Sequence, residues 1–449
     1  MKKSKYLLKN IFNHFISIKK LIKKYYHKII IFIIIILYLF IPKTNSLIKI
    51  IKVGLVANSI KNGGAERSVS LICYYFNKVK IFKFFLLTLK RKEKNEYAID
   101  GNIKRIIVRN NLIEIIKKKK IDILLYQMYD YNQIYELNKI KNLKTILINR
   151  SCFLHWIYYN RYDFFRNYYK IYKKADYAIS LLHANIKLSS LFCYFFSSIL
   201  MPNFIPYKYN KIVPSNLLSN IILMIGRAYD RIKRFDLGIR AMKYISSQIP
   251  QSELKIISSL DGIDYLLNII NELNLRNFVK FEGYKSNPSI YYKNASLHLF
   301  PTLVEAFPNI LSETKIYGIP NILIGLDYVT CSNGGTVIIY DDSPLSLAKV
   351  IINILRNKRF KEKLGRDARL SMKKLDNNII LKRWIKIILS IYDGKENYQK
   401  LRNKDKKMAD KDAIRIIENQ LNLLKNRNKS FINVTLNDII NFTFLENLK

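Results

Sequence analysis

The chain has 449 residues, 49% of them hydrophobic, and carries 77 Lys and Arg against 33 Asp and Glu, a formal net charge of +44. That length holds two or three domains with real cores. The excess of lysine runs along the whole chain without forming one basic stripe, and no RNA-binding signature or zinc-finger spacing accompanies it, which argues against a nucleic-acid module. Cys73, Cys152, Cys193 and Cys331 form no CxxC pair and the five histidines form no close pair. Neither a disulfide framework nor a metal motif is present in that pattern, and the cysteine usage fits a reducing compartment.

Residues 1–48 read as a membrane-active segment. Residues 1–52 hold twelve lysines and no acid. Leu8, Ile11, Phe12, Phe15, Ile18, Ile22 and Tyr25 recur at helical spacing between those lysines, the pattern of a basic amphipathic helix on an anionic membrane surface. Residues 29–41 are then uninterrupted apolar text, about 20 Å of helix against a hydrocarbon core of roughly 30 Å. A spanning or re-entrant anchor is the favoured reading. A cleavable signal peptide also fits the apolar length, but no small-x-small cleavage site follows. A core helix would need burial on every face. The basic lead should stay cytoplasmic, so a simple span would carry the rest of the chain to the far side, whereas an interfacial anchor, or an outward amino terminus, leaves the domains facing the cytoplasm. The sequence leaves that choice open.

Residues 49–58 form a short apolar run ending in polar residues, a buried strand. The text SIKNGGAER follows and leads into a helical pattern through Val69, Leu71, Ile72 and Phe76. Strand, glycine-rich turn and helix make a phosphate-binding layout, and Gly63 and Gly64 let a backbone approach a ligand closely. A plain tight turn reads equally well. Further strands are expected at 82–89, 121–127, 145–149 and 177–182, with helices at 111–119 and 164–174. Alternating strands and helices imply a parallel sheet covered on both faces, with ligands beyond the carboxyl ends of its strands. Arg150 and His155 follow one of these strands and reach toward such a cleft, although a structural role suits His155 as well.

Residues 206–219, with two prolines of a three-proline stretch, read as a connection between a first domain at 49–205 and a second at 220–393. In the second, strands are expected at 220–226, 254–258, 278–282, 297–302, 321–324 and 337–340, and helices at 235–249, 263–273, 345–355 and 381–392. After its first strand, Arg227 and Lys233 offer two cations that could neutralise a diphosphate, or could be two solvated charges. Later comes PTLVEAFPNILSETKIYGIP. Pro308 is expected at the first helical position, leaving the N–H groups of Asn309 and Ile310 at a helix start that favours an anion. Glu305 and Glu313 bracket that start, too far apart to share a proton or a metal. Two exposed glutamates on a surface helix would be the ordinary alternative. Residues 394–449 are rich in Lys and Asn, with a helix plausible at 410–424 and no visible chemistry.

Three signals stand in order: GGAER, then GR with Lys233, then EAFPNILSE with its downstream YGIP. Together they resemble glycosyltransferase family 4 (glycosyltransferases group 1), retaining enzymes of the GT-B fold, over residues 50–393. The resemblance implies an α/β chain of two Rossmann-like doubly wound domains facing across a cleft. It implies Arg227 and Lys233 on the donor diphosphate, Glu305 on the donor sugar and Glu313 on the ribose. Phe307, Pro308, Asn309 and Ile310 would meet sugar and phosphate through their backbone, and Gly63 and Gly64 would close over the diphosphate. The last helix would cross back to the first domain. Ala306 stands where the family often has Gly, the text after Ile324 departs from the usual, and the acceptor-side residue is represented only by the candidates Arg150 and His155. The expected activity is transfer from a nucleotide-diphosphate sugar, UDP-linked, to a hydroxyl acceptor that is a lipid-linked or glycan molecule. No metal cofactor is called for, because two cations and a helix start can neutralise the leaving group. A non-catalytic nucleotide-sugar-binding or scaffold protein on the same fold, or a basic protein binding anionic surfaces by charge, are the alternatives.

Overall fold

The structure, a computed structural model, describes residues 50–149, 170–394, 418–419 and 422–423, apart from 62, 94–95, 129, 173, 183–184, 187–197, 208 and 330. The anchor expected at 1–48, Arg150 and His155 therefore lie outside the described residues, as does most of the helix expected at 410–424. Among the described residues no helix is long and apolar enough to cross a membrane.

Two parallel sheets organise the chain. The first contains β1 (Ile51–Ala57), β2 (Phe82–Thr88), β3 (Lys104–Ile107), β4 (Ile123–Tyr126), β5 (Lys144–Asn149), β6 (Tyr177–Ser180) and β7 (Ile199–Leu200), in the order β3-β2-β1-β4-β5-β6-β7. The second contains β8 (Ile221–Ile225), β9 (Glu253–Ile257), β10 (Val279–Phe281), β11 (Leu297–Phe300), β12 (Asn321–Ile324) and β13 (Thr336–Ile339), in the order β10-β9-β8-β11-β12-β13. The central strands read as near-continuous apolar text, LLY in β4 or NILI in β12, and every residue of β4, β11 and β12 is buried. A sheet covered by helices on both faces needs that composition. Each order reverses once, between β1 and β4 and between β8 and β11. At such a reversal the connections leave in opposite directions and open a crevice beyond the strand ends.

The helices of the first domain include α1 (Gly64–Phe76), α2 (Leu112–Lys119) and α3 (Tyr131–Leu137). The second domain has α4 (Phe235–Gln248), α5 (Asp264–Glu272), α6 (Ser289–Asn294), α7 (Asn309–Ile316), α8 (Pro344–Arg356), α9 (Lys358–Ser371) and α10 (Asn377–Asp393). Of the helix expected at 164–174, residues 170–172 and 174 are described, and they are helical.

Five elements were not expected from the sequence. The strand β7 has only two residues, too few to carry a pattern. The strand β3 lies at a sheet edge and has no buried residue, so it lacks the apolar run that marks its neighbours. The helices α3 and α6 are short. The helix α9 is highly polar and buries only Lys361, Leu364, Gly365 and Ala368. It packs through small residues: Gly365 and Ala368 come so close to the chain that a Cβ on Gly335, whose φ is +62°, would lie 2.2 Å from the Leu364 carbonyl oxygen. A hydrophobic-periodicity argument cannot see a helix that is held by its lack of side chains.

The final helix α10 belongs to the first sheet by its contacts. Ile380, Trp384, Ile387, Ile388 and Ile391 fall on one helical stripe and pack into the cluster that contains Val53, Leu55, Ile123 and Ile146. The Trp384 ring meets Phe76 of α1 edge-on at 5.5 Å between centroids. Asn377 fastens the start of the helix: its amide donates to the Tyr75 hydroxyl at 2.6 Å and to the Ile205 carbonyl at 2.7 Å, and its oxygen accepts from the Ile205 N–H. The linker, by contrast, is strapped to the second domain. Arg369 of α9 donates to the carbonyls of Tyr209 and Ile212 in the linker and to that of Ile316 at the end of α7.

Candidate active site

The two reversals bring three loops together. The loop after β8 begins at Gly226, whose φ of +156° suits a residue without a Cβ. Asp230 then organises the turn. Its Oδ1 accepts from the Ile232 N–H at 3.2 Å, closing a 3-10 turn at Arg231–Lys233, and its Oδ2 receives Arg227 Nη2 at 3.1 Å. Arg227 is 65% exposed at its side chain, so it stands in solvent at the rim. Lys233 points inward and pairs with Glu305 Oε1. The turn is also tied to the loop after β11: the Leu303 N–H and the Thr302 hydroxyl both donate to the Ile232 carbonyl. Thus the cation expected on a diphosphate and the carboxylate expected on a sugar are in direct contact.

Glu305 sits before α7, as expected, and its N–H donates to the Tyr328 hydroxyl at 3.1 Å. Pro308 does not take the first helical position. Its ψ of 103° is extended, and its carbonyl accepts from Leu311 and Ser312, so it is the residue that caps the helix and Asn309 is the first residue of α7. The reason is that a capping residue keeps extended backbone while its carbonyl takes the first intrahelical bond, and proline's fixed φ allows this as readily as it allows the first turn. The N–H groups of Asn309 and Ile310 still precede the first intrahelical bond. Phe307 is buried, at 6% exposure.

The first domain touches this helix start directly. Asn309 Nδ2 donates to the Gly64 carbonyl at 3.0 Å, while its Oδ1 accepts from Asn203. A Cβ on Gly64 would lie 3.7 Å from that amide, whereas one on Gly63 would run into the Glu66 carboxylate at 2.0 Å.

Glu313 is fully buried and meets both domains. Its Oε2 accepts from the Tyr292 hydroxyl of α6 at 2.7 Å. Its Oε1 lies 2.8 Å from Nη1 of Arg67, which comes from α1 of the first domain. No hydrogen bond is aligned on that Oε1, so the contact is an ion pair with acceptor capacity left over. Burial raises the Glu313 carboxyl above its ordinary range, and Arg67 and Tyr292 oppose that shift. The hydroxyls of Tyr207, on the linker, and of Tyr292 are both raised by burial first and by the neighbouring carboxylate second.

Residues 208–371 match the sequence profile of the family Glycosyl transferases group 1. The second domain is therefore similar to a group 1 glycosyltransferase domain. The fold agrees across both domains. Sucrose-phosphate synthase from Thermosynechococcus elongatus superposes with a TM-score of 0.64 at 15% identity, over 76% of this chain and 99% of that one. WaaG, a glycosyltransferase involved in lipopolysaccharide biosynthesis, does so with a TM-score of 0.58 at 17% identity, over 75% and 99%. At those identities the likeness is one of fold, two parallel-sheet domains of the GT-B kind. In sequence, the chain is 26% identical over 115 residues to an uncharacterized glycosyltransferase of Haemophilus influenzae. It is 33% identical over 100 residues to an N-acetylgalactosaminyltransferase of Campylobacter jejuni that acts on a diphospho-undecaprenol carrier. These matches span 25% and 22% of this chain, and only 32% and 26% of the two relatives' own lengths.

Within the segment that matches the profile, α7 departs from an amphipathic helix. Ser312, Glu313, Thr314 and Lys315 are consecutive, polar and all without exposure. Lys315 donates to the Cys331 carbonyl and, at 2.7 Å, to the Asn333 carbonyl, and so ties α7 to the loop after β12. The same loop supplies Tyr328 to the Glu305 backbone. Burial pulls the Lys315 ammonium down to about 8 from 10.5. Between those values the unfolded chain holds the proton and the folded one does not, so this group makes the fold more stable as pH rises through that window, by up to about 3 kcal/mol. A Lys315→Met variant lacks the titration. Its urea midpoint is expected to fall progressively behind that of the unmodified protein between pH 8 and 10. Parallel midpoints would contradict this.

Arg67, Tyr292, Lys315 and Tyr328 are the site residues that the sequence reading did not single out. Arg67 lies inside the GGAER text, where the glycines alone were given a role. The others carry no local signal, since only the packing of α6, α7 and the loop after β12 brings them to the site.

Proposed function

We propose that this protein is a retaining glycosyltransferase that moves a sugar from a UDP-sugar to a hydroxyl acceptor in the building of a surface polysaccharide or glycolipid. The observation that carries the reading is the convergence of Lys233, Glu305, the capped start of α7 and the Gly64 backbone at the two sheet reversals. A diphosphate entering there meets one inward cation, Lys233, one rim cation, Arg227, and the N–H groups of Asn309 and Ile310. Donors fixed in advance against the charge that builds on the leaving group are the strongest catalytic device such a site has. With them in place the reading calls on no metal cofactor. Glu305, released from Lys233 by the incoming phosphate, takes the donor sugar, and Glu313 takes the ribose.

The UDP assignment draws support from a GT-B neighbour of the same fold, the Anabaena protein HepE, whose structure is in complex with UDP and glucose. A lipid-linked acceptor is supported by the basic, apolar residues 1–48, which would hold the catalytic domains at the cytoplasmic face of an anionic membrane, and by the undecaprenol carrier of the Campylobacter relative. Arg150 and His155, following β5, are the acceptor-side candidates.

The test is nucleotide release by the full-length purified protein from a panel of UDP- and GDP-sugars, with and without a polyprenyl-phosphate-linked glycan. Release from one UDP-sugar, dependent on acceptor, is expected. Tight UDP binding without release from any donor would favour the non-catalytic alternative, and no response to any nucleotide would remove the reading.

A further inference from the structure

Glu313 presents a difficulty for any ribose. Its carboxylate is wholly buried, with Tyr292 of the second domain on one oxygen and Arg67 of the first domain against the other. Arg67 is not a stray surface cation that happens to reach over. Its side chain is 19% exposed, its guanidinium lies 5.9 Å from the Tyr97 ring centroid, and it donates to the Tyr207 hydroxyl oxygen. It sits on the first turn of α1, where its N–H bonds to the Gly63 carbonyl. The same turn offers the Gly64 carbonyl to Asn309 at the head of α7. One rigid turn of the first domain therefore makes two contacts with α7, one at the expected phosphate end and one at the expected ribose end.

We propose that Arg67 is a positioning residue for the donor, holding the Glu313 carboxylate as the oriented, charged acceptor that the two hydroxyls of a ribose require. This rests on the nucleotide-sugar reading above. A carboxyl buried without a counter-charge takes up a proton, and a neutral acid presents one oxygen as a donor instead of two as acceptors. Arg67 prevents that while leaving hydrogen-bonding capacity on Oε1, where no bond is aligned. Because Arg67 and Glu313 lie on different domains, the ribose reaches the carboxylate when the first domain moves aside and is gripped when it returns. Recognition of the ribose then depends on closure, and Arg67 takes part in choosing the donor without touching it.

The test compares UDP with 2′,3′-dideoxy-UDP by calorimetric titration of the full-length protein. The unmodified protein is expected to prefer UDP by about ten- to a hundred-fold, the usual worth of hydrogen bonds to a charged group. In Arg67→Met the preference is expected to fall to about threefold or less at pH 7, and UDP affinity to recover as pH rises, since hydroxide then does what Arg67 did. Arg67→Lys keeps the charge and loses the fork, and an intermediate preference is expected. The donor KM should rise in both variants with kcat changed far less. Thermal melts establish which variants fold, and if Arg67→Met does not, Arg67→Lys carries the test. An undiminished preference for UDP in a folded variant overturns the proposal and leaves the ribose role of Glu313 standing. Should the unmodified protein bind both nucleotides equally, the ribose role itself falls, and the proposal with it.

Discussion

Lys233→Ala is expected to lower the rate of nucleotide release by about 10²–10³, the usual cost of removing one fixed donor from a site where charge develops. The fold should survive. Lys233 closes a 3-10 turn whose backbone is held by Asp230 and by Leu303, not by the lysine side chain. Its partner Glu305 keeps its backbone bond to Tyr328 and is 18% exposed at its side chain, so water can reach the stranded carboxylate. The corresponding change at the rim, Arg227→Ala, should cost less, because that guanidinium is mostly solvated. Release rates measured beside thermal melts check both statements. A Lys233→Ala protein that turns over normally would remove the diphosphate assignment.

Glu313→Ala should behave differently, losing both activity and about 3–5 kcal/mol of stability, the expected penalty for stranding one member of a buried ion pair. A Glu313 that only faced the ribose from a helix surface would give a variant inactive but intact. The complete burial of the carboxylate and its contact with Arg67 change that expectation. The double replacement Arg67→Met with Glu313→Leu removes the pair as a unit, and apolar substitutes of similar volume often restore what the single change loses. It should recover most of the urea midpoint, short of about 1–3 kcal/mol for the Tyr292 hydroxyl left without its acceptor. Transfer should remain abolished. If the double variant is as unstable as the single one, the ion pair is not what Glu313 contributes to the fold.

These two residues also mark how far the sequence could be read. Central strands announce themselves, because a parallel strand covered on both faces must be apolar throughout, and β1, β8, β11 and β12 are all legible for that reason. The edge strand β3 and the small-residue helix α9 have no such requirement and left no pattern. At the site, Lys233, Glu305 and Glu313 could be named because their spacing resembles a known family. What could not be named was their pairing. Nothing in the text GGAER says that its arginine meets a glutamate far along the chain, and nothing in SETKIYG says that its lysine is buried. A polar residue on a helix is by default a surface residue, and α7 breaks that rule because all its residues but Ile310 are buried, with Thr314 bonded to Asn321 and Lys315 to the loop after β12.

The return of α10 to the first sheet bears on how such a protein can be inherited. The stretch that matches the family profile ends at residue 371, before α10 begins. A single crossover in the linker would give the new partner this chain's second half, but would also carry off the helix whose Trp384 and isoleucines close the first half's core. Exchanging second domains between relatives therefore takes two breakpoints, one on each side of the segment that matches the profile. Lineages that recombine this segment should conserve the match between α10 and α1 more strictly than either half's match to its ligand.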